Sequence, residues 1–235
     1  MILPQLLWRF FRHRDDSVFY SMQATAALDW LRVSGVALGP ETTALDLGCG
    51  HGVFGAELAK QGCRVTFADE SNFLMPEYRT APFLTVNLDR DPLAPLGRFD
   101  LVVCSNVLEH LGQPERFLRS AHDLLTENGS LYLSWTNWLS PWGGHEFSPW
   151  HFLGPTLGTG IYDRLSKRPR FHKPGVNLFP TYIGKVLRVI REESQLEVVK
   201  AAPRYYTEVP LILSVPGLRE FATWNCALLL RRKRA

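Results

Sequence analysis

Residues 44–52, Ala-Leu-Asp-Leu-Gly-Cys-Gly-His-Gly, put a carboxylate, Asp46, near the end of an apolar run and glycines at every second position after it. Gly48, Gly50 and Gly52 remove alternate Cβ atoms, so the backbone can take positive φ and lay its amide groups against a ligand. Phe54, Leu58 and Ala59 then recur at helical spacing. The N-terminus of such a helix offers free N–H groups to a carboxylate or phosphate. Gly50 to Gly55 also satisfy the pattern G-x-G-x-x-G, with Asp69 suitably placed for a ribose, so an NAD-linked oxidoreductase is one reading. Asp46 argues against it. A carboxylate at the strand end opposes a pyrophosphate and favours a ligand that carries positive charge.

The segment resembles the first motif, D-x-G-x-G-x-G, of the class I S-adenosylmethionine-dependent methyltransferases, close to the subgroup (types 11 and 12) that acts on small molecules. The resemblance continues in family order over residues 42–137. Gly62 to Asp69 is similar to the family's second strand, whose terminal acid takes the ribose hydroxyls; Asp69 matches it, with Glu70 beside it. Phe83 to Asp89 is similar to the third strand, where an acid usually takes the adenine amino group. Asn87 stands there, its amide oxygen able to accept the same bond, with Leu88 next to it and Asp89 in reserve. Arg98 to Leu111 is similar to the "FDLV…VLEH" segment, with Ser105 and Asn106 at the strand's carboxyl end. The resemblance thus implies S-adenosyl-L-methionine as cofactor, bound by Asp46, Gly48, Cys49, Gly50, Gly52, Asp69, Glu70, Asn87, Leu88, Ser105 and Asn106. Tyr20, on a helix expected at 17–34 that caps the cofactor in such proteins, would face the sulfonium by a cation–π contact.

The elements that must hold these residues follow from periodicity. The apolar run 101–104 suits a strand covered on both faces. A helix is expected from Pro114 to Leu125, closed by Asn128-Gly129, then a strand from Ser130 to Trp135. The last two strands fall near Leu196–Ala201 and Asn225–Arg231. The expected fold is α/β: a doubly wound, Rossmann-like seven-stranded sheet, its last strand antiparallel, with helices on both faces and a substrate lid inserted after strand five. Four segments result: an apolar-basic N-terminus and cap helix (1–36), the cofactor-binding core (37–137), the insertion (138–180), and the C-terminal part of the same domain (181–235).

The insertion is where an acceptor is expected, because a loop this long in a compact domain is usually functional or mobile. Trp142 and Trp150 are taken as substrate-binding residues, suited to stacking on a sugar or aromatic ring. Tyr205 to Phe221 is expected to supply a second face. Methyl transfer to a hydroxyl needs alignment and removal of a proton, and histidine suits the second task. The candidates are His145 and His151 in the insertion and His110 after strand four; His145 is the first choice, freed by adjacent glycines and with Glu146 at hand to orient it. Glu109-His110 resembles a metal-binding pair in a few relatives. Those relatives add a further acid or histidine, and Asn106 stands one helical turn before His110, so no metal is expected and the pair is read as an anchor for the loop. His172, with Arg168, Arg170 and Lys173, makes a basic cluster, read as a solvated charged face, with contact to an anionic acceptor as the other reading. A non-catalytic cofactor-binding scaffold is the remaining alternative.

With 235 residues, 46% hydrophobic, the chain can bury one good core. A net charge of +3, much of it at the two ends, is too mild for a nucleic-acid binder. The partner expected is a small-molecule acceptor; oligomeric state is left open. Four cysteines without a C-x-x-C pair argue against disulfides or structural zinc and for a reducing cytoplasm. No stretch is long and apolar enough for a membrane span. Residues 1–14 mix large apolar side chains with Arg9, Arg12 and Arg14, as an interfacial helix would. Packing on the core is the favoured explanation, and peripheral membrane contact the other.

Overall fold

The computed structural model describes residues 2–12, 16–166 and 169–234. Seven strands form one sheet: β1 (Thr43–Leu47), β2 (Arg64–Asp69), β3 (Phe83–Thr85), β4 (Phe99–Ser105), β5 (Leu125–Thr136), β6 (Leu196–Pro203) and β7 (Asn225–Arg232). Their spatial order is β3-β2-β1-β4-β5-β7-β6. The pairs from β3 through β5 are parallel, and β7 runs antiparallel to both β5 and β6. The chain therefore leaves β1 in one direction and returns at β4 to build in the other. This reversal opens a crevice beyond the carboxyl ends of β1 and β4, the place where open α/β sheets bind ligands.

The strands read as apolar throughout because both faces are covered. Leu101 and Val103 of β4 join a buried cluster with helices α2 (Asp16–Val33) and α3 (Val53–Lys60). Val102 and Cys104 point the other way, toward α4 (Pro114–Ser120) and α6 (Ile183–Glu193). This period-two division is what a central strand requires. One expected helix face shifts slightly: in α3 Phe54 and Leu58 are buried, but Ala56 rather than Ala59 joins them. The core face of α2 is Ala24, Ala27, Leu28, Trp30 and Leu31, while Phe19 and Met22 pack toward the N-terminus.

The helix expected from Pro114 to Leu125 ends earlier. It tightens into a 3₁₀ turn over Ala121–Leu124, and β5 begins at Leu125. Asn128-Gly129 therefore lies inside β5, where the pairing with β4 shifts register, and Gly129 sits so close to Phe99 and Thr126 that a Cβ would clash. The segment after β5 is not one long loop. It holds 3₁₀ turns at His145–Phe147 and Trp150–Leu153 and a helix, α5 (Pro155–Leu165). A buried cluster of Trp138, Phe147 and Leu178 gives it a small core of its own.

The N-terminal helix α1 (Leu3–Arg12) lays Leu6, fully buried, against Tyr205 and Tyr206, and the Ile2 N–H donates to the Tyr205 carbonyl at 2.9 Å. Arg14 and Arg168 lie outside the described residues, as do the side chains of Arg9 and Arg12. No described helix is long and apolar enough to cross a membrane. All four cysteines are free, three of them buried.

Candidate active site

The turn after β1 is built by Asp46. Its carboxylate, 2% exposed, accepts the N–H of Gly55 at 2.7 Å, one of the unsatisfied amides in the first turn of α3, and so ties the strand end to the helix start. Burial, with Asp69 nearby, pushes the Asp46 carboxyl up to about 7 against the lowering effect of the Gly55 amide. Between them the chain turns through Gly48 (φ +69), Gly50 (φ +50) and Gly52 (φ +80). A Cβ on Gly48 would stand 2.4 Å from a Val107 methyl, whereas the place of a Cβ on Gly50 is open space. Gly48 is thus required by packing, and Gly50 leaves room for a ligand. The Gly50 N–H donates to Asp69 at 2.8 Å, which brings the acid of β2 to the same turn.

A cavity of about 630 Å³ opens from this turn, within the range of small-molecule sites. Its walls include Asp46, Gly48, Cys49 and Gly50 after β1, and Ser105 and Asn106 after β4. Tyr20 lines it from α2 and Trp142 and His145 from the insertion, so these expectations meet in one space. Gly52 is buried beneath the turn, packed against Leu74 and Phe67. Asp69, Glu70 and Asn87 lie together outside the cavity wall, with Asn87 Nδ2 3.5 Å from Glu70 Oε2. Leu88 belongs to the core instead, and both Asp89 oxygens accept amides at the start of α4, Gly112 at 3.0 Å and Gln113 at 2.7 Å.

Two further expectations are corrected. His151 is fully buried, with Nε2 2.9 Å from the Ser140 carbonyl, and does not reach the cavity. Trp150 packs on the Trp138–Phe147 cluster rather than into the cavity. Both follow from the insertion having a core, which draws its aromatic residues inward. The second face is also narrower than expected: Tyr205 lines the cavity, and Trp224, whose ring meets Trp142 edge-on at 5.0 Å, adds the rest.

Residues expected in other roles, together with Arg204, which the sequence did not single out, complete the site. His172 turns inward: its Nδ1 lies 2.7 Å from Glu146 and its ring 4.2 Å from that of His145. Its expected cationic companion Arg170 is held by Asp163 at 2.8 Å instead. His110 joins the other two rings, at 5.3 Å from His172 and 5.4 Å from His145, while its Nδ1 lies 2.7 Å from the Asn177 carbonyl. Glu109 does anchor the loop, since its carboxylate accepts the Thr136 N–H at 2.9 Å; its second oxygen is buried and has no hydrogen-bond partner among the described residues. Burial, with His172 and His110 alongside, holds the His145 imidazole down to about 3, so that ring is neutral. His145 and Asn106 are the non-glycine residues with positive φ among those described, and both face the cavity. Such strain costs about 1–3 kcal/mol and collects at functional sites. Asn106 is fixed by three side chains, accepting from Arg204 at 3.0 Å and Asn225 at 2.8 Å and donating to Gln23 at 3.4 Å. Arg204 is only 5% exposed, lines the cavity, and has no carboxylate partner among the described residues. No sequence motif marks it.

The open place at Gly50, the acid Asp69 bonded to the same turn, and a cavity of this size fit an adenosyl amino acid. A family model described as a methyltransferase domain matches residues 18–199. A protein of Mycobacteroides abscessus named as an uncharacterized methyltransferase is 32% identical over 213 residues, 86% of this chain and 80% of its own. One of Mycolicibacterium gilvum, named likewise, is 31% identical over 237 residues, 94% and 90% of the two chains. Among solved structures, an S-adenosylmethionine-dependent methyltransferase of Mesorhizobium loti superposes with a TM-score of 0.60 at 21% identity, over 88% of this chain and 98% of its own. Magnesium protoporphyrin IX methyltransferase of Synechocystis PCC 6803, with bound S-adenosylhomocysteine, gives 0.57 at 16% identity, over 94% and 88%. The dinucleotide reading of the glycine run is thereby set aside, and the chain belongs to the class I S-adenosylmethionine-dependent methyltransferases.

Proposed function

We propose that this methyltransferase methylates a hydroxyl oxygen on a small or medium-sized acceptor, such as a sugar, glycolipid or secondary metabolite. The observation that carries this reading is that the glycine turn, the Trp142–Trp224 pair and the imidazoles of His110, His145 and His172 all face one cavity. S-adenosylmethionine supplies an electrophilic methyl group on a sulfonium. The chain has to orient that group, exclude water and remove the acceptor's proton. Tyr20 and the Gly48–Gly50 turn hold the cofactor. The buried Arg204, which has no carboxylate partner among the described residues, suits the cofactor's carboxylate, because a desolvated guanidinium gains most from an anion placed against it. Trp142 and Trp224 give an acceptor ring an apolar wall to stack on. The hydroxyl then meets the three imidazoles. His145 alone is a weak base at its depressed pKa, so the rings are read as acting together.

The test is incubation with S-adenosylmethionine carrying an isotopically labelled methyl group and a metabolite extract, followed by mass spectrometry and NMR of the labelled product. A methoxy carbon is the expected result. Label found only on nitrogen or carbon would overturn the oxygen assignment.

A further inference from the structure

We infer that His110, His145 and His172 form a binding site for a divalent first-row transition-metal ion at the acceptor end of the cavity. One ring nitrogen of each lies within 4.8 Å of the others. The three come from separate places: the 3₁₀ turn Leu108–His110 after β4, the turn at His145–Phe147, and the stretch between α5 and α6. The inference deepens the proposed function, and the role given to the ion rests on it.

The hydrogen bonds define which nitrogens are free. Nδ1 of His110 faces the Asn177 carbonyl and Nδ1 of His172 faces the Glu146 carboxylate, at 2.7 Å each. Both oxygens can only accept, so each Nδ1 carries a hydrogen and Nε2 is the nitrogen left to offer a lone pair to an ion. Neither ring nitrogen of His145 makes a hydrogen bond among the described residues. Half-buried lone pairs gathered this closely repel one another unless a cation stands between them. The bonds behind the rings are those of metal-ligating histidines, which donate their other N–H to a carbonyl or carboxylate and are thereby fixed in orientation. Three imidazoles without a thiolate suit zinc, iron, nickel or copper rather than magnesium or calcium, and three protein ligands leave a position open. Tetrahedral ligation needs ligand nitrogens about 3.3 Å apart, so the rings close slightly around the ion.

An acceptor hydroxyl at the open position would ionise near neutral pH, as metal-bound water does, with its proton passing to bulk water through the mouth of the cavity. With the ion bound, the rings would act as its ligands, and the ion would replace them as the group that draws the proton off the hydroxyl. The expectation that a metal was excluded looked for a ligand at Asn106. The other two rings come from the insertion instead.

The experiment uses tag-free, chelator-treated protein titrated with Co(II), read by visible absorption and by metal content after dialysis. Binding of S-adenosylhomocysteine and the melting temperature are measured on the same samples. One Co(II) per chain is expected, with binding weakened at least tenfold in H145Q and in H172Q while cofactor affinity stays within about twofold. The intact melting temperature of these variants separates loss of a ligand from loss of fold. No saturable Co(II) or Zn(II) binding by the unsubstituted protein, or binding unchanged in both variants, would overturn the site. Metal binding without any cofactor binding would support the site and defeat the methyl-transfer reading. Cofactor binding without metal would defeat only the site.

Discussion

The carboxylate of Glu146 lies 2.7 Å from Nδ1 of His172, 26 residues away, and orients that ring rather than the ring of His145, its neighbour in sequence. The same carboxylate accepts the backbone N–H groups of Phe171 at 3.1 Å and His172 at 3.3 Å, so it locates the segment as well as the imidazole. Glu146→Gln keeps the shape but removes the charge behind the ring. Turnover is expected to fall about 10- to 100-fold, the usual cost of losing such a supporting bond, with affinity for S-adenosylhomocysteine nearly unchanged. Steady-state kinetics alongside calorimetry measure the two. An unaltered turnover would remove Glu146 and His172 from the acceptor chemistry.

Gly48 and Gly50 both have positive φ but meet different surroundings, so alanine should fail differently at each. Gly48→Ala drives a methyl into Val107 and is expected to destabilise the protein by about 2 kcal/mol or more. Gly50→Ala meets open space, costs about 1–2 kcal/mol of backbone strain, and should weaken the cofactor more than the fold. Melting curves with and without S-adenosylhomocysteine distinguish them.

Asp46 titrates near 7 in the folded chain against 3.8 ordinarily, so between those values the native state holds a proton that the unfolded state has lost. Its contribution to stability is therefore greatest below pH 3.8 and declines as pH rises toward 7. Asp46→Asn should flatten that decline in pH-dependent unfolding. A cationic cofactor favours the ionised form, so binding below pH 7 should release a proton and tighten as pH rises to that point. Calorimetry in buffers of different ionisation enthalpy counts the proton; zero release would contradict the placement of Asp46 near positive charge.

Arg204→Met keeps most of the side-chain volume while removing the buried charge. Loss of one charge-assisted bond to a carboxylate, about 1.5–3 kcal/mol, predicts a 10- to 100-fold weaker cofactor affinity. The comparison ligand is decarboxylated S-adenosylhomocysteine, whose weaker binding should not weaken further in the variant. If both ligands lose equally, Arg204 acts only by holding Asn106.

His151→Phe tests the reverse, a histidine outside the cavity. Its buried bond to the Ser140 carbonyl is lost, and the melting temperature should drop by several degrees. The folded fraction should keep full turnover per active site. A selective loss of turnover would return His151 to the chemistry.

The cofactor half was legible in the chain because its signals are local. Alternating glycines, a preceding acid and strands of near-continuous apolar character act within a few residues, and the backbone obeys them wherever the segment sits. Asp46, Gly48 and Gly50 therefore stand where their spacing puts them, and the last strand is antiparallel as expected. The acceptor half could not be read this way. His110, His145 and His172 share a space only because the insertion folds back onto the turn after β4, and Asn106 meets Asn225 across 119 residues of chain. Spacing says nothing about contacts of that range. Aromatic residues in the insertion divide between its own core and the cavity, and only packing decides which ring, Trp142 or Trp150, faces a ligand. The sequence by itself determined the doubly wound sheet and the glycine turn after its first strand. The tertiary structure decided which side chains line the cavity, because burial is a property of what surrounds a residue and not of its neighbours along the chain.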